Sequence, residues 1–339
     1  MQKFKKLAAL GLTLLAATSL VAGCGKSDDK TTSTKLMNVN GQEVDFSIGE
    51  FYAYNEQASY EAYYLANGYA IDWTADYDDT MSVEELVKSE VLERIKMFYI
   101  VSQYAKDQGV TLTDDDKTEI DGYVKTYLEG NKKVIAATHA TEESLKSIYE
   151  LESYYNKGCD IIFKDEKFEV SDEDIRQVGV YAVEISTNAS EFPEDTANAI
   201  KNRVLAGEDI TKVADAYGLT ATEGNVGKGD FDGEIVETTC LGLKTGECTV
   251  VESDGVYLVL YCITDFDKEA TEVVKEDNIS KMKSDKLKEF YDEYTKDLKI
   301  TVDEDLWSQI NFNNSIFTDE DIEDILDGGY GEETTTSEN

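Results

Sequence analysis

Hydrophobic positions along the chain follow two different periods, and the change between them divides it into three stretches. In the first stretch helical spacing dominates. Met37-Asn38-Val39-Asn40-Gly41-Gln42-Glu43-Val44 reads as a short strand and turn leading to a helix from about Ile48. Ser82 followed by Glu85 forms a capping box, after which Val83, Leu86, Val87, Val91, Ile95 and Phe98 recur at helical spacing until Gly109 stops the run. Thr113 ahead of Asp114 to Asp116, Thr141 ahead of Glu142 and Glu143, and Ser171 ahead of Asp172 to Asp174 mark three more helix starts. In each, a hydroxyl accepts an orphaned N–H while the acids meet the positive end of the helix dipole.

From Gly179 the pattern changes. Val180-Tyr181-Ala182-Val183-Glu184-Ile185 reads as a strand, Pro193 opens a helix to Leu205 with Gly207 behind it, and a second short helix from Ile210 to Tyr217 ends at Gly218. Gly224, Gly227, Gly229 and Gly233 are spaced as a looping segment. Glu247 to Val251 and Val256 to Ile263 read as antiparallel strands about an Asp254-Gly255 turn. Helical spacing then returns, in a long amphipathic helix from Glu276 to Leu298 and a short one from Asp303 to Ile310. The pattern therefore predicts an α+β protein in which a mixed segment is inserted between helical parts.

The ends read differently. Lys3, Lys5 and Lys6 precede an apolar run from Leu7 to Ala22 that stops at Gly23-Cys24-Gly25. That is the layout of a secretory signal. The run is short for a bilayer span, which wants about 20 apolar residues, and the charged Lys26-Ser27-Asp28-Asp29-Lys30 follows it. Leu20-Val21-Ala22-Gly23-Cys24 resembles a bacterial lipobox with the Cys24 thiol as lipid acceptor. Residues 1–23 are then a lipoprotein signal peptide and 24–35 a lipidated cysteine and flexible tether, which places the folded part on the outer face of a cytoplasmic membrane. Residues 313–339 read as an acidic, mostly disordered tail in which Ile322, Ile325 and Leu326 form at most one helical turn.

Composition narrows the partners. With 32 Lys and Arg against 71 Asp and Glu, the net charge is −39, which excludes nucleic acid because a phosphate backbone demands a basic footprint. The same charge repels anionic lipid, so the body stands off the surface that Cys24 would grip. His139 is the only histidine, so multi-histidine zinc sites are excluded. Cys159, Cys240, Cys248 and Cys262 lack metal spacing and read as small buried hydrophobes, although Cys248 and Cys262 flank the hairpin. No cofactor, metal or nucleotide motif is predicted.

Within 178–264, six pieces occur in the order seen in parvulin-type peptidyl-prolyl isomerases. They are the strand Val180 to Ile185, the helix ending Leu205-Ala206-Gly207-Glu208-Asp209, the helix Ile210 to Tyr217, the glycine segment, Leu243-Lys244-Thr245-Gly246-Glu247, and Asp254-Gly255-Val256-Tyr257-Leu258-Val259. The flanks, with Asn38-Val39-Asn40-Gly41, the Ser82-capped helix, Ala105 to Thr113 and the Ser171 helix, look like the helical chaperone domain of the SurA and PrsA foldases. The resemblance implies a chaperone domain built from 36–176, a parvulin-like domain over 177–268, and C-terminal helices over 269–312 that pack back on the first part. It implies a membrane-tethered foldase whose partners are unfolded or nascent secreted polypeptides; a homodimer is left open.

The chemistry departs from the family. A parvulin lowers the roughly 18–20 kcal/mol barrier to rotation about an X-Pro bond by desolvating it and favouring the twisted amide. Active members usually carry two pocket histidines, one on the first strand and one on the last. The resemblance puts Tyr181 and Tyr257 there, with Thr220 and Phe231 as further pocket candidates. Catalysis is therefore expected to be weak or lost, the alternative being an active isomerase with a non-histidine pocket. Away from this segment, Phe51, Tyr52, Tyr54, Tyr60, Tyr63, Tyr64, Tyr69, Trp73 and Tyr77 crowd one span, and Tyr52, Tyr60, Tyr63, Tyr64 and Trp73 are the candidate client-binding residues. A solute-binding or structural surface lipoprotein is the competing class. A solute binder would carry two lobes of repeated βαβ units, and no such alternation occurs here.

Overall fold

The computed structural model describes residues 34–188, 191–231 and 234–326. The expectations for the signal, for Cys24 and for the last thirteen positions of the tail lie outside the described residues. The chain opens with strands β1 (Lys35–Val39) and β2 (Gln42–Asp45), then helices α1 (Phe46–Ala66), α2 (Val83–Asp107), α3 (Asp114–Gly130), α4 (Lys132–Thr138) and α5 (Glu142–Phe163). Next come α6 (Asp172–Ile175), β3 (Val178–Ser186), α7 (Pro193–Leu205), α8 (Ile210–Ala216), β4 (Ala221–Val226), α9 (Glu234–Gly242), β5 (Cys248–Ser253) and β6 (Val256–Thr264). The long α10 (Lys268–Tyr294), β7 (Ile300–Val302), α11 (Glu304–Trp307) and α12 (Ile322–Asp324) end it. The described residues form two compact units: Lys167–Ser284, and residues 34–166 together with 285–326.

The helical unit forms where local signals and apolar stripes agree. Ser82, Thr113 and Thr141 each accept a backbone N–H three residues on, and Glu85, Asp116 and Ser144 return the bond, so all three boxes close. Asn40 and Gly41 both have positive φ, as the tight turn between β1 and β2 requires. The core joins Leu36, Val39 and Val44 of the hairpin to Ile95 and Ile100 of α2, Ile120 of α3, Leu145 and Ile148 of α5, and both tryptophans, Trp73 and Trp307. Gly158 of α5 lies so close to α2 that an added Cβ would sit 2.7 Å from the Val101 carbonyl oxygen.

Two features of this unit escape the sequence pattern. The three residues of β7 pair with β1, Val302 opposite Met37 and Ile300 opposite Val39, and complete a three-stranded sheet in the order β2-β1-β7. The expected disordered tail is in fact folded as far as 326. Phe317 and Ile325 are buried, and Thr318 with Asp321 forms a further capping box.

The other unit is a four-stranded antiparallel sheet in the order β4-β3-β6-β5. Each face carries its own core. Val178, Val180, Ala182, Leu260 and Cys262 pack under Val236 and Cys240 of α9 and Leu243 just after it, whereas Val183, Ile185 and Val259 pack under α7 and α8. The expected glycine loop is corrected here: Ala221 to Val226 is strand β4, pairing Gly224 with Val180, and the helix α9 follows it. β4 is an edge strand, and Thr222, Glu223 and Asn225 leave it too polar to read as one.

Candidate functional site

The four pocket candidates lie in this sheet unit, and the sheet register decides which of them meet. Tyr181 stands opposite Tyr261, while Tyr257 stands opposite Ile185. Both tyrosines face α7 and α8, but they are offset by about 13 Å along the strands and do not share a floor. Thr220 is exposed just ahead of β4. Phe231 packs on the opposite face, against the α9 core. The structure therefore does not bring Tyr181, Tyr257, Thr220 and Phe231 into one pocket.

The Tyr181 hydroxyl is not free to work on an amide. Tyr181 donates to Glu223 Oε2 at 2.6 Å, which raises its pKa by stabilising the protonated form. Partial burial, then the Glu252 carboxylate opposite it on β5, raises that of Tyr257. On the α9 face the register sets Ala182 opposite Leu260, flanked by Thr222 of β4 and Thr249 of β5. Cys262 and Cys240 are buried in that core, and burial pushes the Cys240 thiol up to about 11. Cys248 belongs to the other face, so the hairpin cysteines point away from each other. The central row on the α9 face thus holds Thr222, Ala182, Leu260 and Thr249, and the row on the other face Glu223, Tyr181, Tyr261 and Cys248, with the one acid, Glu223, engaged by the Tyr181 hydroxyl.

The aromatic span divides in two. Tyr52 and Trp73, expected to contact clients, are each 6% exposed and belong to the core. Tyr52 donates to Glu152 Oε1 at 2.9 Å and meets Phe51 and Phe98 edge-on or tilted; burial holds its pKa well above the ordinary value. Tyr60 is half-buried against Trp73, and burial pushes its hydroxyl up to about 12. Tyr63 is 41% exposed and meets Tyr64 edge to face at a centroid distance of 5.7 Å. Tyr69 and Tyr77, which were not among the five candidates, are exposed as well. The outward set is thus Tyr63, Tyr64, Tyr69 and Tyr77, at the end of α1 and in the loop after it. Their spacing from the Ala58 and Ala62 stripe was the available signal.

A buried polar group on α1 was not singled out from the sequence. Glu61 is 3% exposed, yet its carboxylate accepts four hydrogen bonds. Gln57 Nε2 donates to Oε1 at 2.7 Å and Trp73 Nε1 at 3.3 Å, while the backbone N–H groups of Ile316 and Phe317 donate to Oε2 at 2.7 and 3.0 Å. Gln57 Nε2 also donates to the Asn314 carbonyl at 2.9 Å. A buried charge of this kind is tolerated only because its lone pairs are satisfied. His139, by contrast, is an exposed left-handed residue ending α4.

No protein-family model matches the sequence, and no curated protein matches it. Solved structures do. A SurA-like chaperone from Campylobacter jejuni is 12% identical with a TM-score of 0.29, over 80% of this chain and 99% of its own. The peptidylprolyl isomerase PrsA of Bacillus cereus is 16% identical with a TM-score of 0.30, over 77% and 100%. The foldase protein PrsA of Streptococcus pneumoniae is 13% identical with a TM-score of 0.31, over 74% and 98%. The structural neighbours of this chain are thus PrsA and SurA-like foldase chaperones. Among the described residues no helix is long and apolar enough to cross a membrane.

Proposed function

We propose that the chain is an extracytoplasmic holding chaperone of the SurA and PrsA kind, tethered through a lipid on Cys24, whose parvulin-like unit has lost isomerase catalysis. The observation that carries the proposal is the sheet unit itself. An antiparallel sheet with helices on both faces follows the order of pieces that the sequence shares with parvulins, yet its central rows hold Tyr181, Tyr261, Ala182 and Leu260. Selective stabilisation of a twisted amide needs donors aimed at it. Here the Tyr181 hydroxyl is committed to Glu223, and the α9 face is apolar at its centre.

Holding, in contrast, needs only weak, adaptable contact area. Exposed tyrosines supply it at little entropic cost, and the strong negative charge keeps chaperone and client complexes soluble. The test is light scattering from an aggregating unfolded polypeptide. Aggregation is expected to fall in proportion to added chain up to about equimolar dose, and the triple change Tyr63→Ser, Tyr64→Ser and Tyr69→Ser is expected to weaken the effect several-fold. Unchanged scattering at molar excess of the native chain would refute the holding role. Replacing Cys24 by Ser tests the anchor: fractionation should move the protein from the membrane pellet to the soluble extracytoplasmic fraction.

A further inference from the structure

The segment 313–326 lies in a trough of its own on the helical unit. Phe317 and Ile325 are buried there with Ala58 and Ala62 of α1 and Val134 of α4, and Leu65 and Ile316 pack at the margin. This cluster is separate from the main core of the unit. Apart from the Lys133–Asp321 ion pair, the polar contacts that α1 makes to the segment are to its backbone. Glu61 takes two consecutive N–H groups, and Gln57 gives one N–H to a carbonyl. Small alanines leave room for large apolar side chains, here Phe317 and Ile325. Gln57 is fully buried, and its Oε1 has no hydrogen-bond donor among the described residues. A buried amide oxygen left this way costs free energy that another segment could recover by donating an N–H to it.

We infer that the trough on α1 and α4 is a binding site for a short polypeptide segment bearing a large apolar side chain, and that residues 313–326 occupy it as an internal stand-in that a client displaces. The identity of the client rests on the holding role proposed above; the site itself does not. Backbone recognition by a carboxylate and an amide, joined to an apolar trough, accepts many sequences. An internal competitor lowers apparent affinity by the fraction of time it occupies the site. Lys133 of α4 pairs with the buried Asp321, and Phe317 is 3% exposed.

The probe is a fluorescent peptide with the sequence of residues 313–326, titrated against the full chain and against its Phe317→Ala variant. The variant is expected to bind the peptide about tenfold more tightly than the native chain. A peptide carrying Phe317→Ala is expected not to bind, and adding Glu61→Ala to the variant chain should abolish binding. Equal binding to native chain and variant, or equal binding of the two peptides, would overturn the site. A second readout needs no variant. Hydrogen exchange at the Ile316 and Phe317 amides of the native chain should accelerate when a reduced, carboxymethylated polypeptide is added, with α2 and α5 amides unchanged. Aggregation suppressed without any change at those two amides overturns this site and leaves the holding role. Peptide binding intact with no suppression overturns the holding role and leaves the site.

Discussion

Two glycines in helices of the same unit show how neighbours decide the effect of a single methyl group. Gly122 in α3 has nothing within 4 Å of where a Cβ would be, so Gly122→Ala removes backbone freedom from the unfolded chain and is expected to stabilise by about 0.5–1 kcal/mol. Gly158→Ala in α5 gains the same propensity but drives the methyl to 2.6 Å from Val101 Cγ1, and overpacking of that sort costs about 1–3 kcal/mol. Both tryptophans of the chain, Trp73 and Trp307, lie in this core, so intrinsic fluorescence during urea unfolding reports on this unit. The midpoint should rise for the first variant and fall for the second. A rise in both would mean that α2 and α5 do not approach as described.

At the level of elements, the helix starts are the most directly testable. Asp116 closes the α3 box, and Lys157 of α5 lies 2.9 Å from its carboxylate. The hydrogen bond from Lys157, then those from Thr113, hold its pKa at about 2, below the ordinary 3.8. A depressed carboxylate contributes stability that is complete above the unfolded value and is lost as pH falls through the folded one. The window therefore runs from about pH 4 down to about pH 2. Lys157→Met should move the Asp116 titration upward, toward the ordinary value, in a carboxyl-detected NMR experiment; an unmoved titration would remove Lys157 as the cause. Thr113→Ala should cost about 1 kcal/mol through loss of the cap.

Elements whose signals are local were legible in the chain. Ser82, Thr113, Thr141 and Ser171 all cap the helices that their side chains announce, and the Asp254-Gly255 turn joins β5 to β6 with both residues at positive φ. Elements that exist only through tertiary partners were not. β4 is polar because one edge meets water, β7 is too short to show a period, and residues 313–326 fold because Glu61 and Ala62, some 250 positions earlier, receive them. The site suffered from the same limit. A strand alternates faces at every residue, so placing Tyr181 or its neighbour Ala182 at the pocket centre swaps the α7 and α8 face for the α9 face. Only the pairing of β3 with β6 shows that Tyr181 meets Tyr261 and not Tyr257.

For the molecule as a whole, the negative charge matters most. A net charge of −39 makes the folded state repel itself, and salt at about 0.1 M screens charges beyond roughly 10 Å. Raising sodium chloride from a few millimolar to physiological strength should therefore raise the unfolding temperature, and a fall would show that favourable ion pairs outweigh repulsion. The pairs present are mostly exposed, as with Arg203 and Glu208 or Lys146 and Asp121, and contribute little each. Surfaces of this kind suit a protein that must keep partly unfolded chains dispersed.

The central claim, a holder built around a silent isomerase unit, is tested most directly by refolding a polypeptide whose slow phase is set by proline isomerisation, which takes tens of seconds uncatalysed. Rate and yield are followed together as the chain is added. The account predicts that yield climbs with dose while the rate constant of the slow phase stays at its uncatalysed value. A rate constant that increases in proportion to substoichiometric chain would contradict it.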